Sequence, residues 1–293
     1  MRFGFYLNGP GSYAHVDPAD GLKVVAAAGF QDVDVSASMG IRAPTSSAFT
    51  KADRAALRHA AREQDLGIAA VVTHLGLSDS IAGGSPLDLR GAVDVAIDLG
   101  APLVLVHIGA RSPSGADPDE LRRGCLARVR DAADSAAPHD IAVCLDAVAS
   151  EFLTRDVYEV RDFLGDVARR NVGWNFDPAY LAAYAVDASS AIDVLGPWIR
   201  HAHLKDYRRS GDRIEWLIPG DGDLDTGGAL HALERIGFTG TVAAEVIARV
   251  GGGAERWPIS HAATLSYETM RLATAGRAAP ATDADDRART GDR

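Results

Sequence analysis

Eight apolar runs along this chain end on or beside a polar or ionisable residue: Tyr6, Asp34, His74, His107, Asp146, Asp177, His203 and Glu245. If the runs are the parallel strands of one closed sheet, all eight side chains converge on a single mouth, where barrels of this kind keep their chemistry. The last four are three carboxylates and an imidazole. Buried carboxylates are costly unless paired, protonated or bound to a cation, and a divalent ion is the simplest of these solutions. One nitrogen and several oxygens suit Mn²⁺, Mg²⁺, Co²⁺ or Zn²⁺, with positions left open for substrate oxygens. The set contains no thiolate that would point to a purely structural zinc site.

The elements that must carry these residues alternate along the chain. Strand-like runs read as Arg2–Leu7, Asp32–Ser36, Ile68–His74, Leu103–His107, Ile141–Asp146, Val172–Asp177, Ile199–Leu204 and Thr241–Val246. Between them lie Ala- and Leu-rich segments with helical spacing, among them Lys51–Gln64, Asp88–Leu99 and Thr226–Ile236. Eight such units predict an α/β fold, a (β/α)8 barrel rather than an open doubly wound sheet. Side chains alternate between the faces of a strand. Asp146 therefore lines up with Ala142 and Cys144, and Asp177 with Gly173 and Asn175. Glu245 lines up with Thr241 and Ala243, and His203 with His201 and Lys205. The small or polar face is expected inside the barrel and the bulky one against the helices.

Composition narrows the function. The chain has 293 residues, ordinary for one α/β barrel, and 47% of them are hydrophobic, enough for a large core. A formal net charge of −10 argues against a nucleic-acid partner. Two cysteines, Cys125 and Cys144, leave no room for a disulfide framework. No apolar stretch is long enough to span a membrane, and the first residues read as a strand rather than an export signal, so a cytoplasmic location is expected. The expected organisation is one barrel domain over residues 1–273 and a disordered tail over 274–293, which lacks large apolar residues. Ser38–Thr50, Tyr207–Asp225 and Gly251–Trp257 read as lids over the mouth.

Five short pieces carry a family resemblance: VCLDA on strand five, NFDPAYL on strand six, HAHLKD on strand seven, PGDGDLD after it, and TGTVAAEV on strand eight. With them the chain resembles the sugar phosphate isomerase/epimerase superfamily, the xylose isomerase-like TIM barrels. That superfamily includes ketose 3-epimerases, hydroxypyruvate isomerase, inosose dehydratases and the endonuclease IV branch. The resemblance implies that Asp146, Asp177, His203 and Glu245 bind one divalent ion, Mn²⁺ foremost. It implies substrate contact for His74, His107 and Lys205, with Asp206 in support, and a possible homo-oligomer. There are three departures. Strand five usually ends in Glu, and here Asp146 is one methylene shorter. Tyr180 stands where many relatives place a His three residues after the strand-six Asp. The Asp-x-His element of the nuclease branch is missing from KDYRRSGDRIEW.

The function expected from this resemblance is a metal-dependent isomerase or epimerase of a polyol, a sugar, keto-sugar or cyclitol-like compound, working through an enediolate. Asp146 and Glu245 are the acid/base candidates, Glu245 being the better base because of its longer arm. Tyr6 and Trp216 are expected to wall the substrate, with Tyr180 beside it. Two alternatives stay open. The same site can act as a lyase (dehydratase, decarboxylase or C-glycoside-cleaving enzyme), or the barrel can be a non-catalytic binding or partner subunit. The bland reading of any one of these acids is a solvated strand end, and His201 reads as a satisfied core histidine.

Overall fold

The computed structural model describes residues 1–7, 13, 15–37, 48–73, 76–77, 88–108, 117–146, 156–247 and 256–276. Eight strands close into a barrel: β1 (Arg2–Leu7), β2 (Asp32–Ser36), β3 (Gly67–Val72), β4 (Leu103–His107), β5 (Ala142–Asp146), β6 (Val172–Phe176), β7 (Ile199–Leu204) and β10 (Thr241–Ala244). Around the barrel the order is β1, β10, β7, β6, β5, β4, β3, β2, with β2 back against β1. Every pair within it is parallel. The expected (β/α)8 barrel is therefore the observed one. Between β7 and β10 the chain adds an antiparallel hairpin, β8 (Asp206–Ser210) and β9 (Arg213–Leu217), which takes up the first part of the Tyr207–Asp225 stretch expected as a lid.

The helices start on acceptors. Asp17, Thr50, Asp88, Asp117, Asp156, Asp187 and Asp225 each take backbone N–H groups of a first turn, which satisfies donors the helix itself leaves open. Asp177 does the same for the helix Pro178–Ala183, accepting from Tyr180 N at 3.0 Å. One oxygen of a candidate site residue is thus committed to ending a strand and starting a helix. The chain also ends its strands early. β6 stops at Phe176 and β10 at Ala244, so Asp177 and Glu245 stand just past the last ladder residues, at the mouth.

Two apolar layers separate inside from outside. The interior cluster is Tyr6, Ala70, Val72, Leu103, Leu105 and Cys144. The larger layer between strands and helices contains Ala202, Leu204, Trp174, Phe176, Val143 and Leu145. The face assignment made from alternation holds on β5, β6 and β7. On the β6–β7 side the interior is polar instead: Asn175, His201, His203 and Lys205 are all buried, as is Asp34 on β2. Among the described residues no helix is long and apolar enough to cross a membrane. The last helix, Ile259–Thr274, runs one residue past the expected domain end, and residues 277–293 of the tail lie outside the described residues.

Candidate active site

Strand β7 supplies the centre. His201, His203 and Lys205 point inward in succession and are at most 2% exposed. Asp34, fully buried, meets the first two across the barrel floor: its Oδ2 lies 2.7 Å from His201 Nε2 and 3.0 Å from His203 Nε2. The Tyr6 ring stacks on His203, with centroids 5.7 Å apart and planes 13° from parallel. His203 Nδ1 faces Glu245 Oε2 at 3.5 Å and makes no other polar contact among the described residues. Burial disfavours a charged imidazole there, but the hydrogen bonds and charges of Asp34 and Glu245 outweigh it and raise His203 to about 10. Burial likewise works to raise Asp34, yet His201 and His203 hold its carboxyl below the usual range.

Lys205 is a buried ammonium between two acids. Its Nζ lies 2.5 Å from Asp177 Oδ2 and is hydrogen-bonded to Glu245 Oε2. The same nitrogen sits 4.3 Å from the centroid of the Tyr180 ring and 5.7 Å from that of Trp216, which the β9 strand brings in from the hairpin. The two rings pack at 4.6 Å. An ammonium so desolvated survives only with partners. Asp177 and Glu245 supply them and keep the Lys205 pKa above its ordinary value against the effect of burial. Glu245 is held well below the usual carboxylate range, since Lys205 and His203 together outweigh its burial. Asp177 moves the other way: burial and the charge of Glu245 exceed what Lys205 returns. Burial pushes the Tyr180 phenol up to about 12, with Lys205 offsetting part of the effect.

Asp146 occupies the next sector. Its Oδ1 accepts from Asn175 Nδ2 at 3.0 Å, and it is the β-ladder partner of His107. Tyr6 and Tyr180 flank the centre, one ring on His203 and the other beneath Lys205. The structure therefore brings together Tyr6, Asp177, Tyr180, His203, Lys205, Trp216 and Glu245, with Asp146 and His107 beside them. His74 lies outside the described residues. The reading by strand ends gives Asp34 no role. His201 is, as expected, a buried and hydrogen-bonded histidine, and its partner is the same Asp34 oxygen that His203 meets. That link is visible only once β2 and β7 face each other.

Asp206 builds the rim. Its carboxylate accepts backbone N–H groups from Tyr207, Gly220, Gly222 and Leu224 at 2.8–3.0 Å, pinning the PGDGDLD turn beside the hairpin. A Cβ at Gly222 would collide with Asp206 and with the Tyr207 carbonyl, so this turn needs a glycine there. Arg208 and Arg209 donate to the carbonyls of Asp221 and Ala183.

A divalent ion fits these residues. Two carboxylates already gather around one positive charge, and an imidazole nitrogen with no other polar contact among the described residues faces one of them. Nitrogen with several oxygens is a donor set for Mn²⁺, Mg²⁺, Co²⁺ or Zn²⁺. Among the described residues, the trio whose donor atoms all lie within 4.8 Å of one another is Asp34, His201 and His203 rather than the expected four. The reason is the Lys205 nitrogen, which stands between Asp177 and Glu245, while Asp146 turns to Asn175.

Comparison with known proteins sets this geometry in a lineage. The family model of the xylose isomerase-like TIM barrel matches residues 22–269. A curated relative, inosose isomerase of Bacillus velezensis, is 27% identical over 136 residues, 44% of this chain. The matched stretch spans 48% of that relative's length. Among solved structures, D-psicose 3-epimerase with D-tagatose from Clostridium cellulolyticum superposes with a TM-score of 0.74 at 18% identity, covering 92% of this chain and 98% of that one. A probable 3-DHS dehydratase from Bacillus anthracis gives 0.70 at 13% identity over 92% and 99%. At these identities the structural likeness speaks for the fold. With a closed parallel barrel and a family match over most of its length, this chain belongs to the xylose isomerase-like TIM barrels.

Proposed function

We propose that the protein is a divalent-metal-dependent isomerase or epimerase acting on a sugar, keto-sugar or cyclitol-like substrate. The observation that carries this reading is the convergence of Asp177, His203, Lys205 and Glu245 at the C-terminal ends of three barrel strands. The curated relative named inosose isomerase and the neighbouring ketose epimerase support the substrate class. Asp146, Asp177, His203 and Glu245 would hold the ion, which when bound supplies positive charge that polarises a carbonyl and acidifies the adjacent C–H.

The chain's own groups do the rest. Glu245 stays ionised beside Lys205 and His203, the state a proton acceptor requires. Asp146, in the sector next to β6, is the group placed to return a proton from another side. Lys205 donates hydrogen bonds from the centre and is placed to steady a developing oxyanion. Tyr6, Tyr180 and Trp216 give apolar faces to C–H bonds of a ring or chain, and His107 stands beside Asp146 in the β4–β5 ladder. A lyase outcome has one specific support, the structural neighbour that is a probable dehydratase. An enolate formed by proton removal can instead lose a β-hydroxyl as water when an acid protonates that oxygen.

The test joins metal content to isotope exchange. Wild type is expected to bind about one Mn²⁺ per chain, and His203→Ala and Glu245→Gln to lose most of it. With a panel of ketoses and cyclitol ketones in D₂O, deuterium should enter beside the carbonyl without loss of a fragment. Loss of water or an aglycone would select the lyase. A wild type that holds no metal and takes up none in calorimetry would end the metal-dependent reading.

A further inference from the structure

We propose that Asp34 is a positioning residue, whose carboxylate holds Nε2 of both His201 and His203 and so turns His203 Nδ1 toward Glu245 and the barrel mouth. The inference rests on the metal-centre reading above and names the group that orients its imidazole. Asp34 stands on β2, separated from β7 by β1 and β10 in the barrel order, so the contact exists only because the barrel is closed.

The argument is one of donors and acceptors. An ionised carboxylate offers lone pairs and no hydrogen. Two ring nitrogens at 2.7 and 3.0 Å from one of its oxygens must therefore both be N–H donors. That keeps a proton on His203 Nε2 and makes Nδ1, 3.5 Å from Glu245, the nitrogen whose proton a cation would displace. The ring cannot turn over without putting carbon against a fully buried carboxylate, and Tyr6 covers one face of it. His201 fixes Asp34 in turn, its ring 81° from that of His203 so that both edges reach the same oxygen. Metal-bound histidines commonly donate their second N–H to a carboxylate in this way. The rival use of the trio, a cation held by Asp34 and both Nε2 atoms, would strip the buried oxygen of both donors that now satisfy it.

Spectra of ¹⁵N-histidine-labelled protein separate the two. Metal-free wild type is expected to show two exchange-protected Nε2–H resonances, from His201 and His203. Loaded with ¹¹³Cd²⁺, it should show metal–nitrogen coupling at His203 Nδ1. In Asp34→Asn the two proton signals should shift or vanish, and Cd²⁺ affinity should fall about 10–100-fold. Coupling at Nε2 of either histidine would overturn the proposal. So would the absence of both protected protons in wild type, or Asp34→Asn retaining signals and affinity. If wild type binds no Cd²⁺, the metal reading fails, while the Nε2–H signals still decide whether Asp34 holds the two rings.

Discussion

Asn175 donates its side-chain N–H to Asp146 Oδ1 at 3.0 Å, tying the carboxylate at the end of β5 to the strand beside it. Lys205, by contrast, is claimed by Asp177 and Glu245. The three acids at the mouth are thus held by two different partners.

If Asp146 ligates the ion directly, its orienting partner matters as other outer partners of metal ligands do. Asn175→Ala is expected to weaken Mn²⁺ binding by about 10–100-fold, read by calorimetry. Unchanged affinity would mean that Asp146 acts through water or not at all.

The buried ammonium leads to a sharper expectation. Removing Lys205 leaves Asp177 and Glu245 near each other with no cation between them. Breaking such a pair by deleting one partner costs about 3–5 kcal/mol. Lys205→Met should therefore lower the unfolding free energy of metal-free protein by an amount of that order, seen in urea titrations with EDTA. A divalent ion can take over the neutralising role, so added Mn²⁺ should restore more stability to the variant than to wild type. Equal gains in the two proteins would contradict the idea that ion and ammonium draw on the same two carboxylates, Asp177 and Glu245.

Much of this site is legible in the sequence itself. Alternation along HAHLKD already put His201, His203 and Lys205 on one face, and burial of all three follows. Strand ends marked Asp177 and Glu245 because parallel strands deliver their C-termini to one mouth. What could not be read was pairing across the barrel. Asp34 and His203 are 169 positions apart, and their contact depends on closure and register rather than on any local pattern. Nor could spacing show that Lys205 lies between Asp177 and Glu245, because side-chain reach rather than strand position decides it. Strand ends fall short of the sequence expectation where a mouth residue leaves the ladder, as at Asp177, whose oxygen caps a helix instead.

Surface carboxylates add to the acid sensitivity of the fold. Asp131 and Asp134 are held below the usual range by hydrogen bonds from Arg90 and Arg169, and Asp187 by the backbone and hydroxyl of Ser190. The direction of the effect follows from linkage: a folded pKa below the unfolded one means the folded chain binds fewer protons. The stability these groups contribute is present above the unfolded carboxylate value and is lost as pH falls through the depressed one. All three side chains are well solvated, so each contribution is small and screened by salt. Denaturant midpoints of metal-free protein should hold steady from neutral pH down to about 5 and then decline through about 4 to 3. Asp131→Asn and Asp134→Asn together should flatten that decline, and high salt should mimic them. A decline of the same steepness in the double variant would mean that buried acids, not these surface pairs, govern unfolding in acid.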